Sequence, residues 1–340
     1  MKVAKFYSFH DIRIEDMPVP EPGPGEALVK VRASGICSGD VMPWYIEKKA
    51  PLVLGHEPAG EIIAAGENVQ NVKPGDRVFV HHHAPCMKCA FCRRGDYVQC
   101  DTWRSSRIIP GGIAEYILVP QGNLQTDTLI LPEKVTFEDA VLVEPLACVV
   151  KSLTRSGIKK GDTILVIGLG VMGMLHILLA SRFGAGRVIG ADMVDFRLEK
   201  AGEVGADAVI HVEKEPLKDT LLSLTHGRGA DIVIVGPNSI RAMDGGVNCA
   251  AAGGTVVLFT PAKPGERLTI DPNYLYFRDI SIVTSYSCGP DDTRRALELI
   301  EEGTVTAERL VTHRFSIEET ADAYRTVAQA WDSLKVIIVF

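Results

Sequence analysis

Hydrophobic and polar positions alternate along the first part of the chain, up to about residue 143. The segment Ala27–Gly35 alternates as a half-buried strand does, and residues 2–17 suggest two shorter strands. Turn-forming Pro and Gly residues separate such runs, as in the segment from residue 72 to residue 76. Short strands with this punctuation and little helix predict a small barrel-like β domain. Its further strands are expected within residues 60–66, 76–83 and 110–120.

The pattern changes at about residue 145, and from there to residue 284 apolar strand-like runs alternate with helical stretches. Helices are predicted between the first five of these strands, notably at Val194–Val204 and Glu215–Thr225. Six strands with intervening helices are what a doubly wound parallel sheet requires, so we expect an α/β domain. The predicted strands are Thr163–Ile167, Arg187–Asp192, Ala208–His211, Asp231–Val235, Thr255–Thr260 and Ile280–Thr284.

The last part of the chain predicts two helices and a strand. The first helix is expected at residues 291–302. The second, at residues 316–329, opens with Ser316 and Glu319 in the S-x-x-E order of a capping box. The apolar run KVIIVF ends the chain, and we expect it to return to the N-terminal domain.

A run of eighteen residues without charge, from Thr163 to Ala180, contains the sequence GLGVMG. Its glycines fit G-x-G-x-x-G between a strand and a helix, where the first allows a tight turn, the second admits a pyrophosphate and the third lets the helix pack closely. The length also reaches the threshold for a membrane span. Three clustered glycines, His176 inside the run and no asymmetry of flanking charge argue against a span.

The next predicted strand ends in Asp192, nineteen positions after Gly173. A carboxylate at this place hydrogen-bonds the ribose 2′-hydroxyl of NAD and repels the 2′-phosphate of NADP, so the sequence favours NAD over NADP. The predicted cofactor-binding residues are Gly168, Gly170, Val171, Met172, Gly173, Asp192 and Arg197.

Length and composition set the broad class. At 340 residues the chain is long for a single core, so two domains are expected. An apolar fraction of 46% with 23% charged residues describes a soluble globular protein, and the net charge of −7 argues against general affinity for nucleic acid or anionic membranes. The first sixteen residues contain no apolar core of a signal peptide, so the cytoplasm is the expected location.

Four of the eight cysteines fall within fifteen residues: Cys86, Cys89, Cys92 and Cys100. This C-x2-C-x2-C-x7-C array predicts a structural zinc site, because four thiolates close a tetrahedron and leave no open position. Ferredoxin iron–sulfur runs also begin C-x2-C-x2-C, but they continue C-x3-C-P, whereas Asp101 follows the fourth cysteine here. Unliganded or disulfide-bonded cysteines are the other alternative.

A second set of metal-binding residue types is scattered along the chain. Cys37 follows a predicted strand, His56 and Glu57 lie between a loop and a strand, and Glu144 lies where the two domains should meet. Cys, His and carboxylate suit zinc, and three protein ligands would leave a position open for substrate. Each residue alone is more often explained by packing, so spacing leaves this site a hypothesis. We interpret the tract His81–His83 as interface or solvated residues.

Together the motifs resemble the zinc-dependent medium-chain alcohol dehydrogenases over essentially the whole chain. They are GICSGD, LGHEPAGEI, VKPGDRV, the four-cysteine lobe, LVEPLAC, and GLGVMG followed by Asp192. Glu144 stands where many alcohol dehydrogenases have a cysteine, which makes the chain most similar to the sorbitol and threonine dehydrogenase branch. The resemblance implies a GroES-like β-barrel catalytic domain for residues 1–144 and 285–340, and a Rossmann NAD-binding domain for residues 145–284.

The resemblance also implies two zinc ions per chain, one catalytic and one structural, with NAD as the cofactor. Cys37 and His56 would be catalytic ligands, and Glu57 and Glu144 would each be a ligand or near-ligand. In this family zinc acts as a Lewis acid on an alcohol whose carbon passes a hydride to the nicotinamide. Bacterial-type relatives are mostly tetramers, which implies a homotetramer by analogy.

Three positions depart from the family pattern. Gly39 stands where the family usually carries the Ser or Thr of a proton relay, and Met42 stands where a relay histidine is common. Proton exit would then use Ser38, Glu57 or a water chain. Ser285 stands where sorbitol dehydrogenases carry an arginine that meets the polyol, which argues against sorbitol as the substrate.

The sequence therefore predicts a zinc- and NAD-dependent dehydrogenase of a secondary alcohol, polyol, sugar or amino alcohol, or the reverse carbonyl reductase. A zinc-free quinone or enoyl reductase on the same fold is the enzyme alternative, and both sets of metal-binding residues argue against it. A non-catalytic member, such as a crystallin-like structural protein or a nucleotide-sensing module, is the second alternative. Gly39 is the one feature that favours it.

Overall fold

The computed structural model describes all 340 residues, and the chain divides into two compact units. Unit 1 consists of residues 1–147 and 288–340, and unit 2 consists of residues 148–287. Each boundary lies three residues later than the one expected from the sequence. None of the helices combines the length and hydrophobicity that a membrane crossing needs.

The strands form three sheets. In chain order they are β1 (Lys2–Ser8), β2 (Asp11–Asp16), β3 (Ala27–Gly35), β4 (Leu52–Val53), β5 (Glu57–Ala65), β6 (Arg77–Val80), β7 (Tyr116–Val119), β8 (Thr128–Ile130), β9 (Thr163–Ile167), β10 (Arg187–Asp192), β11 (Ala208–His211), β12 (Ala230–Val235), β13 (Ala250–Leu258), β14 (Ser281–Thr284), β15 (Val311–Phe315) and β16 (Lys335–Val339).

The α-helices are short in unit 1 and longer in unit 2. In chain order they are α1 (Pro43–Ile46), α2 (Ala90–Arg93), α3 (Asp101–Ser105), α4 (Gln121–Asp127), α5 (Phe137–Ala140), α6 (Val143–Ser156), α7 (Val171–Ala180), α8 (Asp195–Val204), α9 (Leu217–Leu224), α10 (Ile240–Cys249), α11 (Pro272–Arg278), α12 (Pro290–Glu301), α13 (Ala307–Leu310) and α14 (Thr320–Gln329). Single 3-10 turns lie at Ser38–Val41, Glu47–Lys49, Tyr97–Gln99, Ser181–Phe183 and Ile317–Glu319.

Unit 2 is built on a six-stranded sheet in the order β11-β10-β9-β12-β13-β14, and all of its strand pairs are parallel. This confirms the predicted doubly wound sheet. The central strands are apolar runs because both faces are covered by helices, and Leu165, Ile189, Val233 and Val256 are fully buried. The reversal of strand order falls between β9 and β12, where such sheets bind their ligands at the carboxyl ends of the strands.

Unit 1 contains a three-stranded sheet, β2-β1-β4, and a larger sheet in the order β15-β16-β3-β5-β6-β8, with β7 also paired to β3. Alternate residues of the larger sheet, among them Val29, Val31 and Ile62, form a fully buried core. Strand β16 runs antiparallel to β3, with Ile337 opposite Gly35. The predicted return of the C-terminal strand to the N-terminal domain is therefore confirmed.

The two predicted C-terminal helices are also confirmed, as α12 and α14. Ser316 and Glu319 form the expected capping box, in which the Ser316 N–H donates to a Glu319 carboxylate oxygen at 2.9 Å. The first turn of the second helix is a 3-10 turn, so α14 itself begins at Thr320.

Candidate active site

The ends of three strands meet in unit 1 and bring the scattered donors together. Gly35, the last residue of β3, pairs with Glu57 of β5 on one side and with Ile337 of β16 on the other. Cys37 lies two residues after the end of β3, and the Gly39 N–H donates to its sulfur at 3.3 Å. The Cys37 sulfur, a ring nitrogen of His56 and a carboxylate oxygen of Glu57 lie within 4.8 Å of one another. We refer to these three residues as the donor centre.

The donor centre fits a zinc ion. Thiolate, imidazole and carboxylate are the ligand types of catalytic zinc sites, in which three protein ligands leave one position open. The Oε1 atom of Glu57 is buried and has no hydrogen-bond partner. Burying such an oxygen unpaired costs free energy, which a bound cation would recover.

Asp40 orients the imidazole of the donor centre. Its Oδ2 lies 3.2 Å from His56 Nδ1, and Asp40 itself is only 5% exposed. Burial alone would lower the pKa of His56, but the charge of Asp40 and the hydrogen bond between them outweigh it and raise that pKa well above its ordinary value. A carboxylate that accepts from one ring nitrogen of a metal-binding histidine leaves the other nitrogen free for the metal.

A fully buried ion pair holds the carboxylate of the donor centre. Lys335, the first residue of β16, donates from Nζ to Glu57 Oε2 and also to the Ile36 carbonyl at 3.2 Å. Both charged side chains are 1% exposed. Burial raises the pKa of Glu57, and the charge of Lys335 opposes that shift. A Cβ at Gly35 would overlap Glu57 Oε2 and lie 2.7 Å from Lys335 Cε, so only glycine fits beside this pair.

Glu144 lies outside the donor centre and belongs to a second group of buried donors. Its carboxylate, a ring nitrogen of His81 and the Cys288 sulfur lie within 4.8 Å of one another. His81 Nδ1 is 2.6 Å from Asp127 Oδ2, and His81 Nε2 is 3.8 Å from the Cys288 sulfur. After burial, the charge of Glu144 is a further cause of the raised pKa of Glu57, so the two carboxylates are electrostatic neighbours.

The tract His81–His83 was interpreted as interface or solvated residues, and of these two interpretations the solvated one is wrong. Strand β6 ends at Val80, so the side chains of the tract do not alternate as strand residues, and His81 is fully buried. Burial lowers the pKa of His82 well below its ordinary value and lowers that of His83 to about 3. The His82 ring lies against His56, with ring centroids 4.9 Å apart, so the tract forms one wall of the donor centre.

The hydroxyl groups near the donor centre differ from the family relay. Gly39 supplies none, and Ser38 is exposed, with a hydroxyl that forms no hydrogen bond within the chain. Helix α14 packs on the 3-10 turn that contains both residues and places Tyr324 there. The Tyr324 hydroxyl is buried without a hydrogen-bond partner, and burial followed by the charges of Asp40 and Cys37 raises its pKa well above the ordinary value. No local sequence pattern indicated Tyr324.

The four clustered cysteines also fit zinc. Their sulfur atoms lie within 4.8 Å of one another, with Cys89 and Cys92 sulfurs 3.5 Å apart and Cys86 and Cys92 sulfurs 3.9 Å apart. A tetrahedral zinc ion with Zn–S bonds of about 2.3 Å separates its sulfurs by about 3.8 Å. None of the eight cysteines forms a disulfide. The arrangement, completed by Cys100, matches a four-thiolate site with no open position.

The glycine motif of unit 2 forms the predicted strand–turn–helix. Gly168 has a φ of +86°, and a Cβ there would lie 2.8 Å from Pro237 Cδ. A Cβ at Gly173 would overlap the Gly168 carbonyl, so the helix packs on the turn as closely as expected. Gly170 caps α7, whose first residues are Val171 and Met172, and a Cβ at Gly170 would enter open space. That space, beside the free N–H groups of α7, fits a pyrophosphate.

Asp192 lies at the end of β10 beside this turn, and the chain itself engages both of its carboxylate oxygens. Oδ2 accepts from the Leu169 N–H at 2.6 Å, and Oδ1 accepts from the Met193 and Val194 N–H groups at 2.7 Å and 3.0 Å. Arg197 Nη1 lies 3.6 Å from Oδ2. A carboxylate and a guanidinium therefore stand together where a dinucleotide ribose would bind.

Each of the two units contains a segment that matches a known protein family. Residues 23–129 match the alcohol dehydrogenase GroES-like domain, and residues 171–302 match the zinc-binding dehydrogenase family. The sorbitol dehydrogenase of Halalkalibacterium halodurans is 32% identical over 333 residues, which cover 96% of this chain and 94% of that protein.

Two solved structures share the fold over the whole chain. A zinc-binding dehydrogenase from Sinorhizobium meliloti 1021, bound to NADP, has a TM-score of 0.90 at 30% identity and covers 100% of this chain and 99% of its own. An alcohol dehydrogenase from Escherichia coli CFT073, in complex with NADH, has a TM-score of 0.88 at 28% identity with the same coverage.

Proposed function

Because the chain belongs to the zinc-dependent medium-chain alcohol dehydrogenases and is similar to their sorbitol dehydrogenase branch, we propose that it transfers a hydride between NAD and a secondary alcohol, polyol, sugar or amino alcohol, with zinc at the donor centre. The observation that carries this proposal is the buried, unpaired Glu57 Oε1 beside the Cys37 sulfur and the His56 ring. This combination has a use when a cation is present, and a zinc-free reductase has no need of it.

The residues of the donor centre divide the work of holding the metal. Cys37 and His56 would be ligands, and Glu57 and Glu144 are the candidates for the remaining protein position. Bound zinc supplies a Lewis acid that lowers the pKa of an alcohol at the open position. Asp40 holds the His56 ring by the 3.2 Å contact, which fixes the nitrogen that faces the metal.

Lys335 favours the ionised form of the Glu57 carboxylate and holds it in place, because it donates to Oε2 and leaves Oε1 free. The proton released by the alcohol needs a path to solvent that avoids Gly39. Ser38 is exposed directly after Cys37, so we propose that Ser38 and ordered water carry the proton. An unchanged pH dependence of turnover in Ser38→Ala would remove Ser38 from the path.

The turn from Gly168 to Gly173 would hold the cofactor pyrophosphate, and NAD supplies the hydride acceptor. We propose NAD as the preferred cofactor because Asp192 places a carboxylate beside the ribose site. Arg197 is the opposing feature, since a guanidinium can accept the 2′-phosphate of NADP. In Asp192→Ala the ratio of kcat/KM for NAD to that for NADP is expected to fall at least tenfold. An unchanged ratio would show that Asp192 does not select the cofactor.

The experiment that tests the function is reduction of NAD and NADP across polyols, sugars, 2,3-butanediol and threonine, before and after treatment with a chelator. Activity on at least one alcohol, lost on chelation and restored by zinc, is the expected result. Cys37→Ser and His56→Ala should abolish it. Cys249→Ser, which removes a buried thiol in unit 2, is the matched control and should leave zinc content unchanged. Full activity after removal of zinc would refute the metal's role.

We also propose a homotetramer, by analogy with relatives. Four chains of 36.9 kDa would have a mass of about 148 kDa, which light scattering after gel filtration measures directly. A cytoplasmic location stays a prediction from the sequence.

A further inference from the structure

Arg107 lies at the outer end of a line of contacts that leads to the donor centre. Its Nη1 is 3.0 Å from His83 Nδ1 and donates to the Arg104 carbonyl at 2.8 Å. From His83 the contacts continue inward, with ring centroids 4.0 Å apart between His83 and His82 and 4.9 Å apart between His82 and His56. Arg107 itself is exposed. Arg107 therefore lies at the solvent end of the row of histidines beside His56.

Lys49 approaches the same centre from a different segment. It ends the 3-10 turn Glu47–Lys49, which follows α1 and the turn that carries Asp40. Its Nζ lies 3.6 Å from the centroid of the Tyr45 ring. Burial lowers the pKa of Lys49, and the charges of Asp40, Arg107 and Cys37 also act on it. The 3-10 turn that ends at Lys49 packs on α1, and α1 packs on the turn Ser38–Val41 that follows Cys37, so Lys49 lies on the same side of unit 1 as the donor centre and near enough to Arg107 for their charges to interact.

Neither cation has a carboxylate partner. The contacts of Arg107 are with carbonyl oxygens and His83, and those of Lys49 are with an aromatic ring, while Asp40, whose charge acts on Lys49, is engaged by His56. The protein as a whole is acidic, with 43 Asp and Glu against 36 Lys and Arg. Two like charges held near each other without a carboxylate in contact with either raise the free energy of the protein, and a bound anion would lower it.

The two side chains also supply different kinds of donor, and anion-binding sites use both kinds. Only Nη1 of Arg107 is engaged by the chain, so Nη2 and Nε remain free to form paired hydrogen bonds to two oxygens of one anion. Lys49 supplies a compact charge on a flexible stem. Neutral polyols need hydroxyl donors and acceptors instead, and two unpaired cations add nothing to their binding.

We propose that the substrate alcohol carries an anionic group, a phosphate or a carboxylate, which Lys49 and Arg107 bind while the hydroxyl reaches the donor centre. This rests on the proposed function, because it names the class of alcohol that the same site oxidises. The positive entrance also attracts anionic substrates from solution, so their association depends on salt.

The test compares alcohols that differ only in the anionic group: sorbitol with sorbitol 6-phosphate for phosphate, and sorbitol with gulonate for carboxylate. In the wild-type holoenzyme, kcat/KM for at least one anionic partner should exceed that for sorbitol by tenfold or more. Lys49→Gln and Arg107→Gln should each lower kcat/KM for that anionic alcohol by about tenfold to a hundredfold, with changes within twofold for the neutral one. Raising the salt concentration should reproduce part of this loss for the anionic alcohol alone.

Lys73→Gln is the matched control, since it removes the same charge from the same unit. The turn that contains Lys73 is hydrogen-bonded to Ile62 of β5. Ile62 lies five residues, or about 17 Å, along the strand from Glu57, and this distance exceeds the Debye length of about 8 Å. Thermal unfolding of each variant checks that its fold is intact. Direct binding of inorganic phosphate, measured by calorimetry, gives a readout that needs no turnover. It should be weakened in Lys49→Gln and Arg107→Gln and unchanged in Lys73→Gln.

The outcomes separate the two proposals. If neutral alcohols are turned over best and neither variant alters turnover or phosphate binding, the anionic substrate is refuted and the dehydrogenase stands. If no alcohol, neutral or anionic, reduces either cofactor, the proposed function fails and the substrate assignment fails with it. Preference for the phosphate or for the carboxylate partner identifies the anion.

Discussion

Replacement of Lys335 by methionine tests the buried ion pair of the donor centre. Methionine has a similar length and no charge, so Lys335→Met leaves the Glu57 carboxylate buried, at 1% exposure, without its cation. Breaking a buried pair by removing one partner costs about 3–5 kcal/mol, because the remaining charge is uncompensated. Glu57 Oε1 already has no hydrogen-bond partner, so this oxygen offers no contact that could compensate for the loss of Lys335. We therefore expect the free energy of unfolding of the metal-free protein to decrease by about 3–5 kcal/mol.

The expected loss converts into a measurable shift in melting temperature. For a unit of about 200 residues, each kcal/mol lowers Tm by about 2–4 °C, which predicts a decrease of about 6–20 °C for unit 1. Tryptophan fluorescence reports this unit selectively, because all three tryptophans, Trp44, Trp103 and Trp331, lie within it. Zinc should restore part of the loss in Lys335→Met, since the metal supplies a new positive partner for Glu57.

Two comparisons make the result interpretable. Lys2→Met breaks a lysine–glutamate pair of the same composition whose side chains, Lys2 and Glu318, are 47% and 53% exposed, so it should change the stability little. The double variant Glu57→Gln with Lys335→Met removes both charges and should recover much of the single-variant loss. A Tm for Lys335→Met within 2 °C of the wild type, or equal to that of Lys2→Met, would refute the reasoning.

Three further predictions follow from the geometry. In Gly35→Ala the added Cβ displaces the pair beside it, so metal analysis should find the donor-centre zinc lost and the four-thiolate zinc retained; two zinc ions per chain in this variant would contradict the prediction. Cys92→Ser opens the closed thiolate site and should lower zinc by one ion per chain while leaving the donor centre loaded, which the same analysis measures. Burial lowers the pKa of His176 to about 4, so the folded state takes up its proton later than the unfolded chain, whose histidine titrates near 6.5. Stability should consequently fall by about 3 kcal/mol as the pH decreases from about 6.5 to 4, and urea unfolding followed by circular dichroism should show a shallower pH dependence in His176→Gln.

The Rossmann-type unit is the part of the fold that local sequence determines most completely. The predicted bounds of β9, β10 and β11 agree with the structure residue by residue, because each strand contains a short run of β-branched and other apolar residues that stops at a glycine, a charged residue or a histidine. Strand β13 begins at Ala250, five residues before the predicted Thr255. Its first residues, AAAGG, carry no β-branched side chain; only Ala250 of them pairs with β12, and an irregularity separates that pair from the regular ladder that begins at Thr255, which no local pattern reveals.

The three residues of the donor centre were predictable from the sequence, and the residues that support them were not. Cys37, His56 and Glu57 stand in recognisable motifs near strand ends, so the sequence indicates them together. Lys335 begins a strand at the other end of the chain, where a lysine ordinarily marks a solvated strand end, and only the packing of β16 on β3 buries it. Arg107 lies in a loop with no periodicity, so its approach to the histidine tract depends entirely on tertiary structure.

The discontinuous make-up of unit 1 also sets the order in which its parts become available during synthesis. Glu57 and Lys335 are 278 residues apart, and at about 5–20 residues per second translation needs roughly 14–56 s to pass from one to the other. All of unit 2 is made within that interval and can fold before β16 exists. During those seconds the carboxylate of Glu57 has no lysine beside it, so a metal ion in the cell has access to the donor centre before its permanent cation arrives.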